Sequence, residues 1–178
     1  MAMLTMPRVN RVVLDHEQER LAHHTGFEWM HVKNSHPTTQ VRQYNRNLNY
    51  HEMVSEKAEG YGAQIAVALH FGVTGYIPDP GIDDTKADVG TNIEVKHTQH
   101  EAGHLIIQNC YRSPERMKDV AILVIGKSPV YYLVGWMPVA MAIHPKYKVH
   151  WDENYWVPQR NLFEMKYLKR SDYGDPTL

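Results

Sequence analysis

The sequence predicts an α/β domain, and three observations lead to that fold class. First, the apolar run from Ala63 to Phe71 is rich in small residues, which favours a helix packed closely against a sheet. Second, several later runs of β-branched and aromatic residues are bounded by turn residues, as strands are. Third, the chain of 178 residues shows no internal repeat or linker, and its length suits one domain with a sizeable core.

The bulk composition narrows the classes of function. The formal net charge is −1, so the chain has no global basic signature of nucleic-acid binding, and any DNA-binding surface must be a local patch. Cys110 is the single cysteine, which excludes an internal disulfide and a four-cysteine zinc site and fits a reducing cytosol. No apolar run approaches the roughly 20 residues of a membrane span. The sequence therefore predicts a cytoplasmic protein with no membrane partner.

Residues 1–48 are predicted to form an extension of irregular and helical segments. Asp15 is placed to cap a short helix, Gln18 stands at the capping-box position, and Gly26 falls near the helix end. Residues 27–48 are polar, which favours a solvated connector or, as the alternative, an arm that contacts DNA.

A long helix is predicted over residues 49–71, and it opens a core domain that spans residues 49–170. Gly72 suits the C-terminal end of this helix. Gly60 and Gly62 weaken its middle, which leaves open that it forms two helical pieces.

Strands follow the long helix. They are predicted at residues 93–96, 104–111, 119–126 and 130–137, with a short helix at 138–143 and an edge segment at 156–162. Residues 171–178 are predicted to form a flexible tail.

The stretch from Asp88 to Lys96 carries the strongest indication of chemistry. Residues 93–96 alternate as a half-buried strand does, so Glu94 and Lys96 share one face, and a turn at residues 90–92 folds Asp88 back towards Glu94. Two convergent carboxylates suit a hard cation such as Mg²⁺. An ammonium beside them can orient or deprotonate a water, or stabilise developing charge. The same Glu-x-Lys spacing also fits a solvated strand face with a weak ion pair.

A second motif, from His100 to His104, matches the His-Glu-x-x-His pattern of zinc metalloproteases. That chemistry needs both histidines one helical turn apart, together with a third ligand and an open position. Here Gly103 lies in a polar, turn-like stretch, and the residues that follow favour a strand. We therefore expect a hairpin between two strands, with its histidines facing solvent.

Taken together, the helix with a small-residue apolar face, the Asp88…Glu94-x-Lys96 pattern and the further strands resemble the PD-(D/E)XK nuclease superfamily. The similarity in element order extends from about Tyr61 to Leu168, and the specific motif is confined to those three residues. A looser similarity links Leu-Val-Ile-Gly, Val-Gly-Trp-Met and Trp-Val-Pro-Gln-Arg-Asn-Leu to small nuclease-like proteins of bacteriophages.

The resemblance implies a restriction-endonuclease-like core, with a central mixed β-sheet flanked by helices, and Mg²⁺- or Mn²⁺-dependent cleavage of DNA. It implies that Asp88 and Glu94 bind the metal, that the Val95 carbonyl completes the metal shell, and that Lys96 positions or activates the water. Many members place a glutamate on the first helix where this chain has Gln64, which ligates through its carbonyl or holds a metal-bound water. If the helix register differs, the fourth ligand is one of three glutamates: Glu52, Glu56 or Glu59.

The implied partner is DNA, in a bacterial cell or a phage-infected host. Because phosphate binding needs cations, the candidate contacts with the DNA backbone are Arg42, Arg46, Lys86, Arg112, Arg116 and Lys118, with His97 near the site. Cutting both strands needs two sites, so a homodimer is the assembly expected of this chemistry. The alternative function is a catalytically inactive nuclease fold that binds DNA or protein.

Overall fold

A computed structural model describes residues 10–35, 47–81 and 86–169. Within these ranges the chain forms six strands, β1 (Arg11–Val13), β2 (Ile93–Thr98), β3 (Leu105–Ile107), β4 (Val120–Lys127), β5 (Val130–Pro138) and β6 (Tyr155–Val157). It also forms three α-helices, α1 (His16–Ser35), α2 (Tyr50–His70) and α3 (Val139–Ala142).

Four of the strands form a central mixed sheet in the order β1-β5-β4-β2. β2 runs parallel to β4, whereas β4 and β5, and β5 and β1, are antiparallel. β3 and β6 form a separate antiparallel pair. The predicted α/β class is therefore confirmed, and the sheet is mixed.

The central strand β4 is buried on both faces, which explains its continuous apolar sequence. Alternate side chains on one face, such as Ile122 and Val124, join a core with α2 and Leu14. Those on the other face, such as Leu123, join a second core with β3, β6 and α3. The sheet thus lies between a helical layer and a smaller layer built from β3, β6 and α3.

The long helix α2 agrees with its prediction and is one continuous helix rather than two pieces. Asn49 caps it, and the side chain of Glu52 accepts a hydrogen bond from the Asn49 N–H, which completes a capping box. Gly72 follows its end with a φ of +73°, the left-handed conformation that favours glycine. Gly62 lies where any larger residue would meet the Tyr131 hydroxyl, so close packing on β5 offsets its weak helix propensity.

The N-terminal region differs from its prediction. Asp15 and Gln18 cap α1 reciprocally as expected, but the helix does not end near Gly26 and continues to Ser35. β1 belongs to the central sheet, and Ala22 of α1 is buried in the same core as α2. This part of the extension predicted at residues 1–48 therefore shares the core of the domain, because its apolar residues complete the helical layer.

The region after β2 also differs in part. The strand predicted at residues 104–111 ends at Ile107, and a 3-10 turn (Asn109–Arg112) follows it. The predicted hairpin at residues 99–104 is wrong, because β2 and β3 lie in different sheets and this stretch is the loop between them. β4, β5 and α3 agree with the predicted elements, whereas of the edge segment predicted at residues 156–162 only the start lies in a strand, β6, which pairs with β3. The predicted tail at residues 171–178 lies outside the described residues.

None of the helices in the described ranges is both long and apolar enough to cross a membrane.

Candidate functional site

The candidate site forms at the outer edge of β2, where a tight turn folds the chain back as predicted. Gly90 has a φ of +62°, and Val89 and Ile93 pair across the turn through two backbone hydrogen bonds. The Val95 N–H then donates to Asp88 Oδ2 at 2.8 Å. The turn therefore brings the Asp88 carboxylate to the edge of the strand that carries Glu94, and the main chain of Val95 orients it.

Helix α2 contributes Gln64 to the same site. Gln64 Nε2 donates to Asp88 Oδ1 at 2.8 Å, across 24 positions of sequence. The Tyr76 hydroxyl donates to the Asp88 carbonyl oxygen at 2.5 Å and lies 3.3 Å from Gln64 Oε1. Asp88 is thus held by α2, by β2 and by the connector that carries Tyr76.

The three glutamates of α2 that were alternatives to Gln64 are engaged elsewhere. Glu52 belongs to the capping box, and Glu56 is exposed. Glu59 is buried, and its Oε2 accepts from the Tyr131 hydroxyl at 2.9 Å and from the Ser128 N–H at 3.0 Å. Gln64 is therefore the residue of this helix that reaches Asp88.

Glu94 is only 4% exposed and receives three donors. Lys96 Nζ lies 2.7 Å from Glu94 Oε1, which also accepts a hydrogen bond from the Tyr111 hydroxyl. Arg116 Nη2 donates to Glu94 Oε2 at 2.5 Å. Lys96 Nζ also lies 2.9 Å from the Tyr111 hydroxyl, so the donors contact one another as well. Arg116 Nε lies 3.1 Å from Asp119 Oδ2, which links a third carboxylate to the network.

This environment shifts the pKa values of the carboxylates in opposite directions. Burial, with the charge of Glu94 added to it, raises the pKa of Asp88 to about 7. Burial alone would raise the pKa of Glu94 as well, but Lys96, Tyr111 and Arg116 hold it below its ordinary value. Burial also raises the pKa of Asp119 to about 6, with Arg116 opposing the shift.

The pKa values of the donors around Glu94 are shifted too. Burial opposes the charged form of Lys96, but the charge of Glu94 prevails and raises the pKa of Lys96, which keeps it an ammonium. Burial raises the pKa of Tyr111 to about 12, so its hydroxyl stays protonated at neutral pH.

The side chains of this network carry more negative than positive charge when all of them are ionised. Three carboxylates, Asp88, Glu94 and Asp119, face two cations, Lys96 and Arg116, so the fully ionised network is short of one positive charge. Two carboxylates that lie close enough to shift each other's pKa suit a hard cation. Waters, an amide oxygen and a backbone carbonyl oxygen can complete its coordination shell. The described residues contain no cluster of three or more His, Cys, Asp or Glu residues placed for a metal.

The candidate DNA contacts occupy different places. Lys86, Arg112 and Lys118 are exposed and flank site residues in sequence. Arg116 is buried, with its guanidinium directed at Glu94 and Asp119. Arg42 and Arg46 lie outside the described residues.

The remaining histidines of interest do not join the carboxylates. His97 lies on the opposite face of β2 from Glu94; its Nε2 lies 3.0 Å from the Gly126 carbonyl oxygen, and its ring packs 5.7 Å from that of Tyr131. Burial lowers the pKa of His97 and so favours its neutral form. His100 and His104 are exposed on a loop with no helix, so the geometry that the zinc motif needs is not formed.

Sequence reasoning missed Tyr76, Tyr111 and Asp119 and placed Arg116 on the surface. Tyr111 and Arg116 lie in two short 3-10 turns after β3, in a stretch that was interpreted as the end of a strand and a polar connector. No spacing rule links such turns to a strand that lies before them in the chain. The one available signal was that an arginine and a tyrosine lie shortly before β4. Exposed loops often contain both residue types, so this signal does not identify a site.

Comparison of the chain with protein-family models, with curated proteins and with solved structures finds no match.

Proposed function

We propose that this chain is a metal-dependent deoxyribonuclease that hydrolyses DNA phosphodiester bonds, as a small bacteriophage-type member of the PD-(D/E)XK superfamily. The observation that carries the proposal is that Asp88, held by Gln64, bonds the main chain of the strand on which Glu94 and Lys96 pair, between those two residues. These residues come from a helix, a turn and a strand. A Glu-x-Lys pair on an exposed strand would need neither the helix nor the turn.

The fold supports the proposal at the level of class. The Glu-x-Lys strand lies in a mixed sheet next to a parallel neighbour, and the helix that supplies Gln64 packs on that sheet. Both features are compatible with the restriction-endonuclease-like core that the resemblance implies.

Asp88 and Glu94 would hold the cation, with Gln64 and the Val95 carbonyl as further oxygen ligands. Gln64 presents its N–H to Asp88, so ligation through its oxygen requires the amide to turn over. The Tyr76 hydroxyl accommodates either orientation, because it can accept from the amide N–H while donating to the Asp88 carbonyl. When bound, Mg²⁺ or Mn²⁺ would neutralise phosphate charge and acidify a water.

Hydrolysis forms a bond between the water oxygen and phosphorus and breaks the bond from phosphorus to one ester oxygen, which leaves as a hydroxyl. Lys96 is an ammonium in this network, so its role is to orient the water and to stabilise the charge that develops on the phosphate. Lys86, Arg112 and Lys118 are exposed and flank site residues in sequence, and in this proposal they contact the DNA backbone. Cleavage of both strands would use two copies of the chain.

One observation favours a second candidate, a nuclease fold that binds DNA or protein without cutting. Both oxygens of Glu94 are hydrogen bonded within the protein, and Gln64 donates to Asp88. These hydrogen bonds hold both carboxylates in place without a metal.

Incubation with supercoiled plasmid and with linear single- and double-stranded DNA tests the proposal. Reactions would contain Mg²⁺, Mn²⁺ or EDTA, and Glu94→Ala and Lys96→Ala would be compared with the parent chain. We expect metal-dependent cutting by the parent and its loss in both variants, with a fall of about 10²-fold or more, because each removes a charge that acts on the transition state.

The chain contains a matched control for these variants. Glu164 and Lys166 have the same Glu-x-Lys spacing and form an ion pair of 2.7 Å, but both side chains are more than half exposed. Glu164→Ala and Lys166→Ala should leave cutting unchanged. If the parent cuts DNA with neither metal but still binds it, the nuclease proposal is refuted and the non-cutting binding module is the better account.

A further inference from the structure

Three hydrogen-bond donors converge on the carboxylate of Glu94 from separate parts of the chain. Lys96 lies on the same strand, and Tyr111 and Arg116 lie in the connector between β3 and β4. Two of the three carry positive charge, and Arg116 divides its charge between Glu94 and Asp119. Charged donors of these types, an ammonium and a guanidinium, recognise the oxygens of phosphate as well as those of a carboxylate.

We propose that Lys96, Tyr111 and Arg116 form the phosphate-binding part of the site, and that Glu94 occupies it in the resting protein as an internal anion. A carboxylate presents two oxygens that share a negative charge, as do the two non-bridging oxygens of a phosphodiester. The ammonium, the hydroxyl and the guanidinium that bond Glu94 can therefore bond a phosphate in its place.

The exchange has an entry point and a movable part. The Lys96 side chain is 22% exposed, compared with 5% for that of Glu94, so an incoming phosphate meets Lys96 first. Tyr111 and Arg116 lie in 3-10 turns closed by local backbone bonds, such as Tyr111 N–H to the Gln108 carbonyl. Turns of this kind open at lower free energy than the parallel ladder between β2 and β4.

This inference rests on the proposed function in one respect: the same exchange frees both oxygens of Glu94 for the cation. The binding of phosphate and the binding of the cation would then strengthen each other. Phosphate takes the three donors away from Glu94, and the cation takes Glu94 away from the three donors. The binding part of the inference holds for a nuclease and for a non-cutting DNA-binding module alike.

Binding in EDTA tests the proposal without cleavage. The affinity of a short fluorescent oligothymidylate would be measured across a salt series for the parent, Glu94→Gln and Asp88→Asn. At a pH well above 7, where Asp88 is ionised as Glu94 is, both substitutions remove one negative charge from the same site, but Asp88 receives none of the three donors. We expect Glu94→Gln to bind about tenfold more tightly than the parent, the size of one added charge-assisted hydrogen bond.

Asp88→Asn measures the general effect of removing a charge, and it should give a clearly smaller increase in affinity. Adding Arg116→Gln to Glu94→Gln should abolish the extra affinity. The salt dependence of binding by Glu94→Gln should also steepen by about 0.7 for each additional phosphate that the variant neutralises on a single strand. Equal affinities for Glu94→Gln and Asp88→Asn would overturn the proposal.

Tyr111→Phe keeps the ring and removes one donor, so it tests the proposal even if Glu94→Gln does not fold. Its affinity for the oligothymidylate with Ca²⁺ present should fall several-fold, and an unchanged affinity contradicts the proposal. The failure of the two proposals can be told apart. A parent that cuts DNA, with no increase in affinity in Glu94→Gln, overturns only this inference, whereas an increase without cutting overturns only the nuclease.

Discussion

Gln64 occupies the position where a carboxylate would add a negative ligand to the site. As an amide it donates to Asp88 and avoids placing another negative charge beside it. The pKa of Asp88 is already raised to about 7 by burial and by Glu94. Gln64 therefore stabilises the metal-free protein, but it gives the proposed metal site one negative charge fewer than a glutamate would.

Gln64→Glu should reverse that balance. In EDTA we expect the variant to be less stable by about 1–3 kcal/mol, because a donor to Asp88 is replaced by a like charge. With Mg²⁺ its melting temperature should rise more than that of the parent, because a third carboxylate increases metal affinity. Thermal unfolding over a range of Mg²⁺ concentrations measures both effects.

Gln18→Glu adds the same charge at the N-terminus of α1, in the reciprocal cap with Asp15. Its response to Mg²⁺ should match that of the parent. An equal Mg²⁺ response in Gln64→Glu and the parent would show that Gln64 does not lie beside a bound cation.

Asp119 gives the stability of the protein a pH dependence of known sign. Its pKa is raised from 3.8 to about 6, mainly by burial, so between these values the folded state keeps a proton that the unfolded state has lost. Its contribution to stability is therefore present at low pH and is lost as the pH rises from about 4 to 6. Asp119→Asn removes this titration, and its free energy of unfolding should fall less steeply than that of the parent over this range.

Urea denaturation at a series of pH values measures the difference in slope, whatever constant offset follows from the loss of the contact with Arg116. One pKa unit corresponds to roughly 1.4 kcal/mol, so the difference between the two profiles should reach at most about 3 kcal/mol. Parallel profiles would show that Asp119 titrates at an ordinary pKa.

At the scale of elements, the contact between α1 and α2 depends on a close approach of their backbones. A Cβ atom at Gly26 would lie 2.8 Å from the Ala58 nitrogen and 3.0 Å from the Val54 carbonyl oxygen. Both atoms belong to the main chain of α2, which cannot move aside as a side chain can. This contact explains why α1 continues through a glycine that, by sequence alone, marks a helix end.

Gly26→Ala should therefore destabilise the protein by about 1–3 kcal/mol, the range of an overpacked core. Gly60 is the matched control, since it lies inside α2 with no atom within 4 Å of an added Cβ. Gly60→Ala should stabilise the protein by about 0.5–1 kcal/mol through helix propensity. Chemical denaturation of both variants measures the difference, and equal effects would rule out the close approach.

At the scale of the whole molecule, local signals predicted the elements that depend on neighbouring residues. The cap formed by Asp15 and Gln18, the glycine after α2 and the turn before β2 each act within a few residues, and the structure contains all of them. The strands β4 and β5 were also visible, because a strand buried on two faces has a continuous apolar sequence.

Features that depend on contacts between distant parts of the chain could not be predicted from the sequence. The length of α1 is set by its packing on α2, and the short β3 pairs with β6 from far along the chain. The ligand environment of Glu94 follows from two turns that no periodicity marks. Spacing alone also does not separate Glu94-Val-Lys96 from Glu164-Met-Lys166, which has the same pattern on the surface. Burial distinguishes them, and burial is a property of the fold.

The position of the candidate site at the border of the central sheet has a consequence for self-association. β2 is a terminal strand, and an unpaired strand edge is a template on which another chain can add a strand. Here Val89 pairs with Ile93, and the Asp88 carboxylate accepts the next outward-facing amide, that of Val95. The residue proposed to bind the metal thus also covers part of the open edge of the sheet, so a chain that lost Asp88 would lose part of its protection against intermolecular strand pairing.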